Sequence, residues 1–203
     1  MFQLDSHYYD LFGVVFFTAL YSAVLLLSPY YRKMSAKPKK AYFAFVLAFA
    51  IEMHGIPFSM LLISWLFNKS LPLGFLWGHT LFPYIGHWGM YINIALALIA
   101  LLIISNGWRN IYKHYWSKPA GQGTLVTSGI YRYIRHPQYT GLFLLSLGML
   151  IEWVTLPLLL MFPIIIVMYT RLADREEKDM VKEFGDEYIQ YRKRTKRFIP
   201  FVW

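Results

Sequence analysis

Formal charge is missing from this chain in long blocks, and no other feature limits its fold as much. Leu11–Tyr31 carries no charge, Ala41–Asn68 carries only Glu52, and Ser70–Trp108 again carries none. Crossing the hydrocarbon core of a bilayer takes a helix of about 20 mostly apolar residues, and these blocks meet that length. Within Ser70–Trp108 a helix is expected at about Trp88–Ile104, after an aromatic loop broken by Pro and Gly. His136–Ile151 and Trp153–Thr170 flank Glu152 and read as a tight helical hairpin turning near Glu152–Val154. The count is five spans in an all-α, multi-pass membrane protein. Leu11–Tyr31 follows the acidic start Asp5–Asp10 and lacks a basic n-region and a small-residue cleavage site, so it reads as a span rather than a leader.

The cations test this count. Arg32–Lys40 holds five Lys/Arg, Arg109–Arg135 five and Arg171–Arg197 nine, while Lys69 stands alone. Five spans put 19 of the 20 on one side, far more than the positive-inside rule needs to orient a chain. The N-terminus is therefore expected outside and the C-terminus in the cytoplasm. That partition also accounts for the net charge of +9, which reads as orientation and attraction to anionic lipid headgroups rather than nucleic-acid binding. A mean hydropathy of +0.40 with 57% hydrophobic residues agrees. There is no cysteine, which excludes disulfides, thiolate nucleophiles, Fe–S clusters and cysteine-type zinc sites.

Polar residues inside the apolar blocks are the first candidates for chemistry. Glu52 and His54 precede Gly55 and Pro57 in the second span, where ionisable groups usually face a bundle interior. They read equally as a substrate-pocket pair or as a brace for a kinked helix, and a spacing of two turns them to different sides. The six histidines form no i,i+3 or i,i+4 pair, so a histidine-box metal centre is not expected. His79 and His87, among Trp77, Tyr84 and Trp88, look like an interfacial aromatic belt. Gly121-Gln122-Gly123 is a lone GxG with no strand before it, a weak phosphate-loop signal.

From Gly123 the composition changes. Pro137 suits the first turn of a helix, which sets Arg135 and His136 at its entrance. A helix N-terminus offers unpaired N–H groups to a ligand carboxylate. Tyr131, Tyr133 and Tyr139 add aromatic faces fit for an adenine or a sulfonium. The hairpin returns His136 and Glu176 to the same cytoplasmic surface. Read blandly, Arg135–Tyr139 are snorkelling and interfacial residues, and Glu176–Glu177 a solvated helix face.

The ordered set Thr124-Leu-Val-Thr-Ser-Gly129, Tyr131, Arg135-His-Pro-Gln-Tyr-Thr-Gly141, Glu176-Glu177, Phe184-Gly185, Tyr188, Tyr191 and Pro200 resembles the isoprenylcysteine carboxyl methyltransferase family, which is grouped with the phospholipid methyltransferases. The resemblance covers about Gly123–Pro200. It implies S-adenosylmethionine bound at the cytoplasmic face, with a lipophilic or small acceptor reached from the bilayer and no metal. The implied cofactor contacts are Gly123, Thr124, Leu125, Val126, Tyr131, His136, Pro137, Gln138 and Tyr139, with Glu176 holding the methionine ammonium. It divides the chain into membrane-spanning helices over 1–118 and a cofactor-binding region with two spans over 119–203.

Two positions depart from the prenyl-cysteine enzymes. Gly123 stands where they have His, and Leu172 where they have the arginine that meets the acceptor carboxylate. Arg171 is the nearest substitute for orienting an acidic acceptor, while Glu52 or His54 would deprotonate an amine or thiol. Two other readings share parts of the pattern: an NADPH-dependent sterol or enone reductase, similar around Tyr-x-x-Arg-His-Pro-x-Tyr, and a non-catalytic membrane protein of the nurim type. The paired Glu176–Glu177 favours the methyltransferase over the reductase.

Overall fold

The structure is a computed structural model and describes residues 66–67, 80–118 and 123–202. The regular elements among those residues are all helices, with no strand. Glu52 and His54, the first expected span and all of the second but Leu66 and Phe67 lie outside the described residues. One compact unit, Tyr84–Glu152 with Phe162–Trp203, contains every described residue discussed as a site below. Trp153–Met161 belongs to a second unit, in which the Thr80 hydroxyl donates to the Val154 carbonyl at 2.8 Å.

After a single turn, α1 (Phe82–Ile85), the chain enters α2 (Trp88–Ile111), which continues as a π-helical turn over Tyr112–Trp116. Among the described residues this is the one helix, Trp88–Tyr115, long and apolar enough to cross a membrane by length and composition. It runs seven residues past the expected end at Ile104. The end of an apolar run marks the edge of a membrane, not the end of a helix, and nothing in Ser105–Ile111 breaks one except the tolerated Gly107. A 3₁₀ turn (Gly129–Arg132) leads to α3 (Pro137–Glu152). The chain leaves helix over 153–155, where the turn was expected, and re-enters it in α4 (Leu156–Phe184). Gly185, at φ +52, ends α4 in a conformation a side chain would strain, and α5 (Asp186–Arg194) follows.

Small residues join α2 to α3. The buried face of α2 is Gly89, Asn93, Ala97, Ala100, Ile104 and Gly107. A Cβ on Gly141 would collide with Ile104, one on Gly148 would stand 2.5 Å from Asn93, and Gly107 lies against Pro137. Partners therefore rise along one helix as they fall along the other: the pair is antiparallel, with backbones as close as glycine permits, the packing that membrane helices favour. The opposite face of α2 exposes Tyr91, Ile92, Ile94, Leu98, Ile99 and Leu102. In water each would forfeit roughly 1.5–3 kcal/mol relative to burial; in hydrocarbon they forfeit little. Asn93, buried in the seam, donates to the Met149 sulfur at 3.6 Å and to the Glu152 carboxyl.

Candidate functional site

The site forms where α3 begins, α4 passes, and the segment after α5 folds back. That segment runs beside residues 133–136. The Arg135 amide donates to the Lys196 carbonyl at 2.9 Å, the His136 amide to the Arg197 carbonyl at 3.1 Å, and the Lys196 amide to the Tyr133 carbonyl at 3.2 Å. The Thr140 hydroxyl donates to the Phe198 carbonyl at 2.7 Å. These bonds fix Phe198, fully buried, against the rings of His136 (5.7 Å between centroids) and Phe143 (5.4 Å). His136 stacks on Tyr139 at 5.5 Å with their planes 7° apart, and Tyr139 meets Tyr169 of α4 at 4.9 Å. One wall of the site is therefore aromatic.

Two adjacent carboxyls of α4 form the other wall, in opposite electrostatic states. Glu177 accepts from Arg135 Nε at 2.9 Å and from Arg197 Nε and Nη2 at 3.2 and 3.3 Å. His136 Nε2 lies 3.2 Å from the same Oε1. Arg135 also donates to the carbonyls of Arg192 and Thr195, and Arg197 Nη1 reaches Asp174 at 2.8 Å. Burial opposes ionisation of Glu177, but the His136 contact and the two arginines outweigh it and hold its pKa at about 2.

Glu176 has the opposite balance. It accepts from the Tyr139 hydroxyl and faces His136 Nδ1 at 3.4 Å. Among the described residues neither a lysine nor an arginine is paired with it. Burial, then the charges of Glu177 and Asp179, raise its pKa well above the ordinary carboxyl value. Burial likewise lowers His136, helped by Arg135 and Arg197 against the pull of Glu177, so the imidazole is neutral near pH 7. A neutral imidazole carries one N–H. Glu177 is ionised and can only accept, so that proton sits on Nε2. Nδ1 then faces Glu176 as an acceptor, which suits a protonated Glu176 carboxyl.

The other expected contacts stand around this pair. Gly123–Val126 lie outside any helix, with the Thr124 amide donating to the His114 carbonyl of the π-helical turn at 3.1 Å and Val126 buried. A Cβ on Gly123 would collide with the Tyr115 ring, so this position takes a glycine because an aromatic ring packs against it. Leu125 is half-buried. Tyr131 is buried; its hydroxyl accepts from Gln138 Nε2 at 2.7 Å, and its carbonyl accepts from the Tyr191 hydroxyl at 2.7 Å. Pro137 is the first residue of α3, and Tyr139 is in its first turn.

Arg171 is exposed, while Leu172 and Ala173 beside it are buried. At 3.6 residues per turn it lies about 120–140° around α4 from Glu176 and Glu177, so the structure does not bring it to the carboxyl cluster. Sequence alone assigns no role of their own to Glu177, Arg197 or Phe198. The one available signal was a pair of arginines shortly before prolines, Arg135 ahead of Pro137 and Arg197 ahead of Pro200. It does not suffice, since Arg197 reaches Glu177 through a fold-back that no local pattern encodes.

Residues 88–187 match the phospholipid methyltransferase family. The chain is 38% identical over 79 residues to a protein-S-isoprenylcysteine O-methyltransferase of Schizosaccharomyces pombe, covering 38% of this chain and 34% of that protein. It is 36% identical over 87 residues to the Homo sapiens protein of the same name, covering 39% and 28%. It is 30% identical over 117 residues to a methanethiol S-methyltransferase of Crocosphaera subtropica, covering 53% and 43%. The matched stretch thus spans about a third of the length of the first two relatives.

Proposed function

Because residues 88–187 match the phospholipid methyltransferase family, we propose that this chain is an integral membrane methyltransferase that uses S-adenosylmethionine at the cytoplasmic membrane face. The observation that carries the reading is Glu176: a carboxyl only 17% exposed, which two nearby arginines leave to its neighbour. Such a group is set to receive a cation from outside the chain, and S-adenosylmethionine brings an ammonium and a sulfonium. The donor set therefore fits this cofactor. The stacked His136 and Tyr139 and the buried Tyr131 supply aromatic faces, and the start of α3 supplies the positive end of a helix for the ligand carboxylate.

When bound, S-adenosylmethionine supplies an electrophilic methyl group. The protein's part is positioning. Glu176 binds the ammonium, with Tyr139 orienting the carboxyl. Glu177, clamped by Arg135 and Arg197, holds the strap that carries Phe198 and keeps that wall dry. Aligning acceptor and methyl in such a site lowers the barrier by up to about 7–11 kcal/mol. The segments Gly123–Val126 and His136–Tyr139 line the cofactor, as the family resemblance implies. The acceptor is a lipophilic or small molecule entering from the bilayer, handled by Glu52 or His54 from the region over 1–118. Arg171, exposed on α4, serves in this reading only if the acceptor reaches that face. The chain spans the bilayer five times, with its N-terminus outside and the region over 119–203 ending in the cytoplasm.

The test is binding of S-adenosylhomocysteine and of NADPH to the detergent-purified protein, followed by transfer of a labelled methyl group into a lipid extract. Binding of S-adenosylhomocysteine alone is expected. Binding of NADPH alone would replace this reading with a reductase.

A further inference from the structure

Beyond Phe198 the chain makes a tight turn that the site does not use. The Val202 amide donates to the Ile199 carbonyl at 3.2 Å, Pro200 is second in the turn, and Phe201 is third with φ +66. This is a type II turn, whose third position ordinarily holds Gly because other side chains strain there. Among the described residues Phe201 is the one non-glycine residue with positive φ. The turn nevertheless presents apolar side chains outward: Ile199, Phe201 and Val202 are 48%, 83% and 72% exposed. Phe201 rests edge-on against Tyr133 at 6.4 Å, and Tyr133 is itself half exposed.

The depth of the turn says what covers it. Thr140, bonded to the Phe198 carbonyl, is next to Gly141, which lies against Ile104 and Ala100 of α2. The strap thus descends to the level of the apolar part of the membrane-length helix. Arg109, the first charge of α2, stands about 7.5 Å beyond Ile104 toward the cytoplasm at 1.5 Å per residue. The turn then reverses toward Tyr133. Exposed Arg132 and Lys196 flank it where residues 133 and 196 pair. Aromatic and aliphatic side chains below a collar of cations match the boundary between acyl chains and anionic headgroups.

We propose that the Ile199–Val202 turn is a wedge seated in the cytoplasmic leaflet of an anionic bilayer, with Arg132 and Lys196 on the headgroup phosphates. The inference uses α2 as a membrane-crossing helix and not the methyl-transfer reaction, so either can fail without the other. The strap that carries the turn also carries Phe198, so seating in lipid steadies one wall of the site.

The cysteine-free sequence makes the test direct. Val202→Cys and, as a solvent control, the exposed Gln190→Cys are labelled with an environment-sensitive NBD dye in nanodiscs of phosphatidylcholine with phosphatidylglycerol. The expected result at 202 is blue-shifted emission, quenching by headgroup-proximal doxyl lipids, and several-fold less iodide quenching than at 190. Phe201→Gly, which the positive φ accepts, keeps the melting temperature and reduces the doxyl quenching at 202. Equal iodide access at both positions would overturn the proposal. So would protection at 202 without doxyl quenching but with disulfide-linked dimers on oxidation, since a second copy would then cover the turn.

Discussion

Glu176 and Glu177 are neighbours in sequence and sit about 100° apart on α4, and that angle gives them different work. Glu177 neutralises two arginines and supports the fold, whereas Glu176 has no Lys or Arg partner among the described residues and is the one the proposed function assigns to a ligand. Removing Glu177 strands Arg135, whose side chain is 9% exposed. Glu177→Ala is expected to destabilise the protein by about 3–5 kcal/mol, as for a broken buried ion pair. Arg197→Ala, at a more exposed position, should cost less; thermal unfolding in detergent checks both. Glu177 is held at about 2 against roughly 4.3 when unfolded, so its stabilisation is complete above about pH 4.3 and is lost as pH falls toward 2. Glu176 carries the opposite sign. Its raised pKa means that a cationic ligand must displace a proton, so affinity for S-adenosylmethionine should rise with pH through that pKa. Calorimetry in two buffers of different ionisation enthalpy should register net proton release on ligand binding. The sequence places Glu176 near His136 because the two helices of a hairpin return to one end. It does not separate Glu176 from Glu177, because the separation depends on Arg197 arriving from 20 residues away.

At the scale of elements, the α2–α3 seam sets the start of α3, and with it His136 and Tyr139. Gly141→Leu should lower stability by about 1–3 kcal/mol through overpacking against Ile104. Ile104→Ala in the same chain opens that space, and a double-mutant cycle in thermal unfolding should return a favourable coupling. Among the described residues, α2, α3 and the first half of α4 were legible from their uncharged blocks, as was the turn between α3 and α4, whereas the charged α5 was not. The length of α2 was not, because the end of an apolar run does not end a helix, and Asn106, Arg109 and Asn110 continue this one past it. The strap after α5 was also hidden. Its backbone bonds to 133–136 follow from a fold-back that neither hydrophobic period nor composition encodes.

For the whole molecule, the one-sided distribution of Lys and Arg is the strongest global signal and predicts an odd number of spans. Single cysteines at Ser6 and Gln190, probed in intact vesicles with an impermeant maleimide, should label from opposite sides; labelling from one side would require an even count. In the proposed five-span arrangement the helices would supply the apolar surroundings, and the basic side would gather the carboxyls that a methyl-donor cation needs. The central claim is that Glu176 is the cation acceptor of an S-adenosylmethionine site, and titration of S-adenosylhomocysteine into the wild type and Glu176→Gln tests it most directly. Loss of a charge-assisted bond predicts affinity lower by about 10- to 100-fold in the variant, with an unchanged melting temperature. Equal affinity in the two proteins would contradict it.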